Sequence, residues 1–211
     1  MNQIIEKAEQ VEQVGLHENR ETAKMGMWLF IFTELLLFGG LFLVYSIFRA
    51  RYPVNFHEAS LELNVTIGTI NTLALLFSSM TIAMAVSAIQ QGNKKLTLVL
   101  VGLTLLMALV FLFNKYIEWG VKIEHRLYPG SRLMPMLDRG DLIYFSLYFF
   151  MTGLHALHIV VGMVLLSIAF VKVKVGSIHS QRFHILENGA LYWHLVDLIW
   201  IFLFPLLYLI T

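Results

Sequence analysis

Six acidic or imidazole side chains within the long apolar runs of this sequence stand out as groups that can bind protons or metal ions. An ionised group at the centre of a membrane helix costs at least ~2.5 kcal/mol, so each of them should be protonated, paired or turned towards another helix. They are the candidates for chemistry in this chain. The six are Glu34, His155, His158, Glu187, His194 and Asp197.

Two of the imidazoles form an H-x-x-H pair. His155 and His158 lie ~60° apart around a helix of 3.6 residues per turn, so both can point into one groove. With His194 and a carboxylate, Glu34 or Asp197, the pair can form a carboxylate-bridged metal site or a bis-imidazole haem site of a membrane oxidoreductase. The same groups can instead be hydrogen-bonded ties in a cofactor-free bundle that binds a larger partner and holds lipid. Three imidazoles are too few to hold both a haem and a second metal, which favours the ties.

The composition limits the remaining chemistry. Of 211 residues, 58% are hydrophobic and 14% are charged, a balance typical of an integral membrane protein. Cysteine is absent, which excludes disulfides, thiolate-bound zinc and iron–sulfur clusters and leaves His, carboxylate and Met as metal ligands. The net charge of +1 and the lack of a dense Lys/Arg cluster argue against a nucleic-acid partner.

Five apolar runs are long enough to cross a membrane as helices, which takes about 20 residues each. The sequence therefore predicts an all-α integral membrane protein, a bundle of five transmembrane helices in one domain, residues 25–211. The spans are predicted at about 25–48, 65–89, 96–118, 142–171 and 187–210.

The segments outside these spans are predicted to be short and polar, with two exceptions. Residues 1–24 hold no apolar run of signal-peptide length, so we expect a cytoplasmic tail that is frayed rather than folded as an interfacial helix. Residues 119–141, with two prolines and three glycines, are expected to form an ordered extramembrane loop. Glu118 and Trp119 are expected to reach the membrane interface at the outer end of the third span.

Basic residues between the spans predict the orientation of the chain, because the cytoplasmic side carries the excess. One side has eight basic residues and the other has six. The eight are Lys7, Arg20, Lys24, Lys94, Lys95, Lys172, Lys174 and Arg182, and the six are Arg49, Arg51, Lys122, Arg126, Arg132 and Arg139. This small bias predicts that the N-terminus is inside and the C-terminus is outside.

Five motifs follow one another along the spans. They are GMWLFIFTELLLFGGLF, NTLALLFSSMTIAMA, the pair Glu118 and Trp119, TGLHALHIVVG, and ENGALYWHLVDLIWIFLF. In this order they resemble subunit III of the haem-copper terminal oxidases, over nearly all of residues 25–208. The chain is similar to the five-helix form of that family, which lacks the first two helices of the seven-helix form.

The resemblance implies an accessory subunit without redox centres in a proton-pumping oxidase of aerobic respiration. Partner subunits would hold the haem and copper that reduce O₂ to water. It further implies direct contact with subunit I, subunits II and IV in the same complex, bound phospholipid, and the bacterial cytoplasmic (inner) membrane as the location. The long form encloses lipid in a V-shaped cleft, and without its first two helices this chain must enclose lipid differently.

The resemblance also implies roles for individual residues. Glu34 would lie towards subunit I, at the position associated with dicyclohexylcarbodiimide labelling. The other five candidates would form a structural, proton-linked polar core that supports proton uptake, and no residue is expected to be catalytic or to bind metal. The electron donor, cytochrome c or a quinol, stays open. A homologue associated with nitric oxide reductase is the alternative within the family.

Overall fold

In the computed structural model, the residues that are described form six helices, and five of these are long and apolar enough to cross a membrane. The structure describes residues 2–125, 127–131, 138–180 and 183–210, with side chains at residue 22 and from residue 24 onward. The helices are α1 (Asn2–Arg51), α2 (Pro53–Leu61), α3 (Val65–Gln90), α4 (Lys94–Glu124), α5 (Arg139–Val175) and α6 (His184–Tyr208). The prediction of an all-α membrane protein with five spanning helices is confirmed.

Two helical segments were not expected from the sequence. The N-terminal tail is not frayed, because α1 begins at Asn2. Residues 2–24 contain one glycine, no proline and many Glu, Gln, Lys and Ala residues, which favour helix. The first connector contains α2, which has a proline in its first turn, where a missing N–H costs no hydrogen bond.

The predicted loop at 119–141 is too long at both ends. Helix α4 continues to Glu124, and α5 begins at Arg139. Within this connector, residues 126 and 132–137 lie outside the described part of the chain. Of the basic residues that predict the orientation, Arg126, Arg132 and Arg182 also lie outside it, as do the side chains of Lys7 and Arg20.

The chain divides into two compact units, residues 1–37 and 38–211. The first unit consists of the N-terminal part of α1. In the second, α3 packs along α4, α5 packs along α6, and α6 also contacts α3. Glycine permits the close approach of α5 to α6, since a Cβ atom at Gly162 would lie 2.8 Å from Trp193 Cε3.

The C-terminal end of α6 is held by side chains from three other helices. An α-helix leaves its last four carbonyls without partners inside the helix. Tyr45 of α1 and Tyr144 of α5 donate their hydroxyls to the carbonyls of residues 206 and 207, respectively. Nδ1 of His57 in α2 lies 3.1 Å from the carbonyl oxygen of Ile210. These bonds fix the position of α6, which carries three of the six candidate residues.

Candidate functional site

Lys115 and Glu118 form a buried ion pair one turn apart on α4. Lys115 Nζ lies 3.1 Å from Glu118 Oε2, and the two side chains are 2% and 3% exposed. Tyr148 of α5 and Tyr208 of α6 donate to Glu118 Oε1 at 2.9 and 2.6 Å. The ion pair therefore joins three helices.

The ammonium group of Lys115 uses all three of its donors. Besides Glu118, it donates to the hydroxyl oxygens of Tyr148 at 3.2 Å and Tyr208 at 2.7 Å. It also lies 5.2 Å from the centroid of the Trp200 ring, within the range of a cation–π contact. A buried ion pair stabilises a fold only when such bonds replace the lost water. This cluster meets that condition, which marks it as a structural tie.

Glu118 is enclosed by this cluster. The residue is only 4% exposed, and its carboxylate accepts from Tyr148 and Tyr208. Its location at the membrane interface stays a prediction. Trp119 is half-buried, with its ring 5.9 Å from that of Phe149. Sequence reasoning missed Lys115, although its i,i+3 spacing to Glu118 is typical of a paired acid and base on one helix face.

A row of side-chain hydrogen bonds joins α6 to α3. It consists of three pairs: His194 Nδ1 with Ser79 Oγ at 2.7 Å, Trp193 Nε1 with Ser78 Oγ at 3.0 Å, and Trp200 Nε1 with Thr72 Oγ1 at 3.0 Å. Small hydroxyl side chains on α3 thus satisfy the polar atoms of bulky side chains on α6. Such bonds hold membrane helices together where no hydrophobic driving force acts between them.

Asp197 lies beside this row. It is 3% exposed and interacts with the Ser79 side chain, which also contacts His194. Within the described residues, neither of its carboxyl oxygens makes a hydrogen bond of good distance and angle. The structure thus brings two of the predicted residues, His194 and Asp197, to one serine of α3.

His155 and His158 have different surroundings. His155 is fully buried between the rings of Phe111 and Trp200, with centroid distances of 5.5 and 5.1 Å. Neither of its ring nitrogens finds a hydrogen-bond partner in the part of the chain that the structure describes. His158 is half-buried, and its Nδ1 lies 2.7 Å from the carbonyl oxygen of Leu154 in the same helix.

The remaining two candidates lie elsewhere. Glu187 Oε2 is 3.4 Å from Nδ1 of His184, in the first turn of α6. Glu34 is half-buried in the unit formed by residues 1–37. Among the described residues, no group of three or more His, Asp or Glu side chains is placed to hold a metal ion. The contacts therefore form several local ties, and they give no support to a haem or metal site at the three predicted histidines.

Comparison with known proteins identifies the family. The family Cytochrome c oxidase subunit III matches residues 5–211. Cytochrome c oxidase subunit 3 of Thermostichus vulcanus is 30% identical over 196 residues, which are 92% of this chain and 90% of the relative. A probable quinol oxidase subunit 3 of Staphylococcus aureus is 30% identical over 197 residues, which are 92% of this chain and 91% of the relative.

A longer relative carries the same region within a fused chain. The haem-copper oxidase subunit I+III of Aeropyrum pernix is 31% identical over 198 residues. This match covers 90% of the present chain but only 23% of that relative. The family match spans all five sequence motifs and confirms the resemblance drawn from them. The chain therefore belongs to the cytochrome c oxidase subunit III family, whose members are membrane subunits of haem-copper oxidases.

Proposed function

We propose that this chain is an accessory subunit of a proton-pumping haem-copper oxidase in aerobic respiration, and that it stabilises the catalytic subunit. The match of the family to residues 5–211 carries this proposal. The name of the Aeropyrum pernix relative joins subunits I and III in one chain, which supports subunit I as the direct partner. Subunits II and IV are proposed to belong to the same complex. Relatives named for cytochrome c and for quinol support either electron donor.

The contacts inside the chain suit a stabilising role. The Lys115 ion pair and the row of bonds between α3 and α6 are satisfied largely within this subunit. They make the bundle rigid without an external ligand, so it can serve as a fixed surface for a larger partner and for lipid. Haem and copper are proposed to reside in the partner subunits.

Proton uptake is proposed as a second contribution of the chain. Acidic groups within membrane spans are costly and mark proton pathways in many membrane proteins. Glu34, proposed to face subunit I, and Asp197, buried beside Ser79, are the acids assigned to this role. We place the chain in the bacterial cytoplasmic membrane, with residues 1–24 and the N-terminus inside and the C-terminus outside.

The replacement Asp197→Leu in the full-length chain tests this proposal. Asp197 lies against α3, so its loss is expected to loosen the α3–α6 packing and lower the amount of subunit I that copurifies. Haem absorbance per subunit I should stay unchanged, because the haem is bound by the partner. The matched control is Leu198→Ala, a neighbouring side chain that is 44% exposed. Normal assembly with lost haem absorbance in the Asp197→Leu complex would place the haem in this chain and refute the proposal.

A further inference from the structure

An apolar groove lies on the exposed surface of α4 and α5. It encloses about 620 Å³, within the range of about 300–1,000 Å³ found for small-molecule sites. Its wall includes Leu112 on α4 together with Val160, Val164, Ser167, Ile168 and Lys172 on α5. One end of the groove is thus basic, and the rest is almost entirely apolar.

The length of the groove matches one leaflet of a bilayer. Positions 160, 164, 168 and 172 are each four residues apart, so they form one continuous stripe on α5. From Val160 to Lys172 the stripe is ~18 Å long at 1.5 Å per residue. Half of a hydrocarbon core of ~30 Å is ~15 Å. A single acyl chain can therefore lie along the stripe and end near Lys172.

The charge at the end of the groove selects the headgroup. Lys172 is the first charged residue after the apolar run of α5. No carboxylate of the described residues forms an ion pair with it. Lys94 Nζ lies 4.0 Å from the position that a Cβ atom would take at Gly176, which follows Lys172 by four residues. Two ammonium groups that form no ion pair with a described carboxylate favour an anionic phosphate over a zwitterionic headgroup.

We propose that this groove binds an anionic phospholipid of the surrounding membrane, with one acyl chain along the α5 stripe and its phosphate on Lys172. The inference rests on the proposed lipid-holding role and gives that role a site on α4 and α5. It does not depend on the contact with subunit I. On the proposed orientation the site lies in the cytoplasmic leaflet, where anionic lipids attract basic residues.

Native mass spectrometry of the full-length chain, purified with the subunits that accompany it, tests the site. The sample is titrated in detergent micelles with phosphatidylglycerol and, separately, with phosphatidylcholine. Lys172→Gln should weaken retention of phosphatidylglycerol about fivefold and leave phosphatidylcholine unchanged. The matched control is Lys174→Gln. Lys174 is exposed, and because it follows Lys172 by two residues, it lies on a different side of α5 from the groove.

A second variant blocks the groove itself. Ser167→Phe should fill the space and reduce retention of both lipids, whereas Leu165→Phe, on another side of α5, should reduce neither. Equal effects of Lys172→Gln and Lys174→Gln would overturn the proposal. So would a Ser167→Phe variant that keeps its lipid but loses another subunit, because the occupant would then be a protein helix. Subunit I is quantified in every sample. If it is absent from all of them, the proposed function is refuted, whereas the lipid site is tested separately by the retention of the two lipids.

Discussion

Removal of one charge from the buried ion pair on α4 should destabilise the chain strongly. Lys115→Met deletes the donor that serves Glu118, Tyr148 and Tyr208, at distances of 3.1, 3.2 and 2.7 Å. The carboxylate of Glu118 would keep its two tyrosine donors but lose its only cation among the described residues. Breaking a buried ion pair by removing one partner costs about 3–5 kcal/mol. We expect a loss of this size in the free energy of unfolding.

The second replacement in the pair should restore part of that loss. In Lys115→Met/Glu118→Gln no charge is left in the cluster, and the amide oxygen at position 118 can still accept from the tyrosines. Replacing both charges of a buried pair by neutral groups is often close to neutral in stability. The double variant should therefore be more stable than Lys115→Met, with a coupling energy of about 0.5–3 kcal/mol.

Unfolding of the full-length chain in mixed detergent micelles, followed by tryptophan fluorescence, measures these energies. Trp200 is a suitable reporter because its ring lies 5.2 Å from Lys115 Nζ. Lys174→Met serves as the control, since Lys174 is exposed and should change stability by less than ~0.5 kcal/mol. The reasoning is refuted if Lys115→Met costs no more than this control, or if the two replacements are simply additive.

Two further predictions concern the packing of α5 and α6. Gly162→Leu should cost ~1–3 kcal/mol in thermal unfolding, because a Cβ atom at this position would lie 2.8 Å from an indole ring. Gly102→Ala should be nearly neutral, because a Cβ atom there would lie 4.0 Å from its nearest neighbour. Equal melting temperatures for the two variants would contradict the close approach. Tyr144→Phe leaves a carbonyl at the end of α6 without its donor and should cost ~1–3 kcal/mol, with faster amide exchange there. Tyr116→Phe, at a residue that is 76% exposed, should leave the stability and the amide exchange unchanged. A similar loss of stability in this control would show that the hydrogen bond from Tyr144 to α6 contributes nothing.

The five spanning helices were predictable from the sequence because length and apolar content are local properties. Helix α2 was not, since its nine residues mix apolar and polar types. Its position depends on Phe56, which is fully buried with its ring 5.4 Å from that of Tyr45 and 5.3 Å from that of Tyr144. Those two rings come from α1 and α5, and Tyr144 is far from Phe56 in the sequence. Only the fold brings them together.

The candidate site was also only partly predictable from the sequence. The sequence identifies the buried acids and imidazoles by type, and the spacing of His194 and Asp197 places both near one face of α6. It does not show that Ser79 on α3 is their shared neighbour. The sequence did not predict the enclosure of Glu118, because a carboxylate near the end of an apolar run resembles an interfacial group. Its enclosing partner Tyr208 is 90 residues away, so burial was not visible locally.

The haem content of the separated chain tests the central claim most directly. The complex is purified through a tag on this chain, its subunits are identified by mass spectrometry, and the chain is then dissociated from its partners in detergent. The account predicts subunit I and haem absorbance in the intact complex, and no stoichiometric haem or metal on the separated chain. Purification without any oxidase subunit, or a stoichiometric haem that stays with the separated chain, would contradict it.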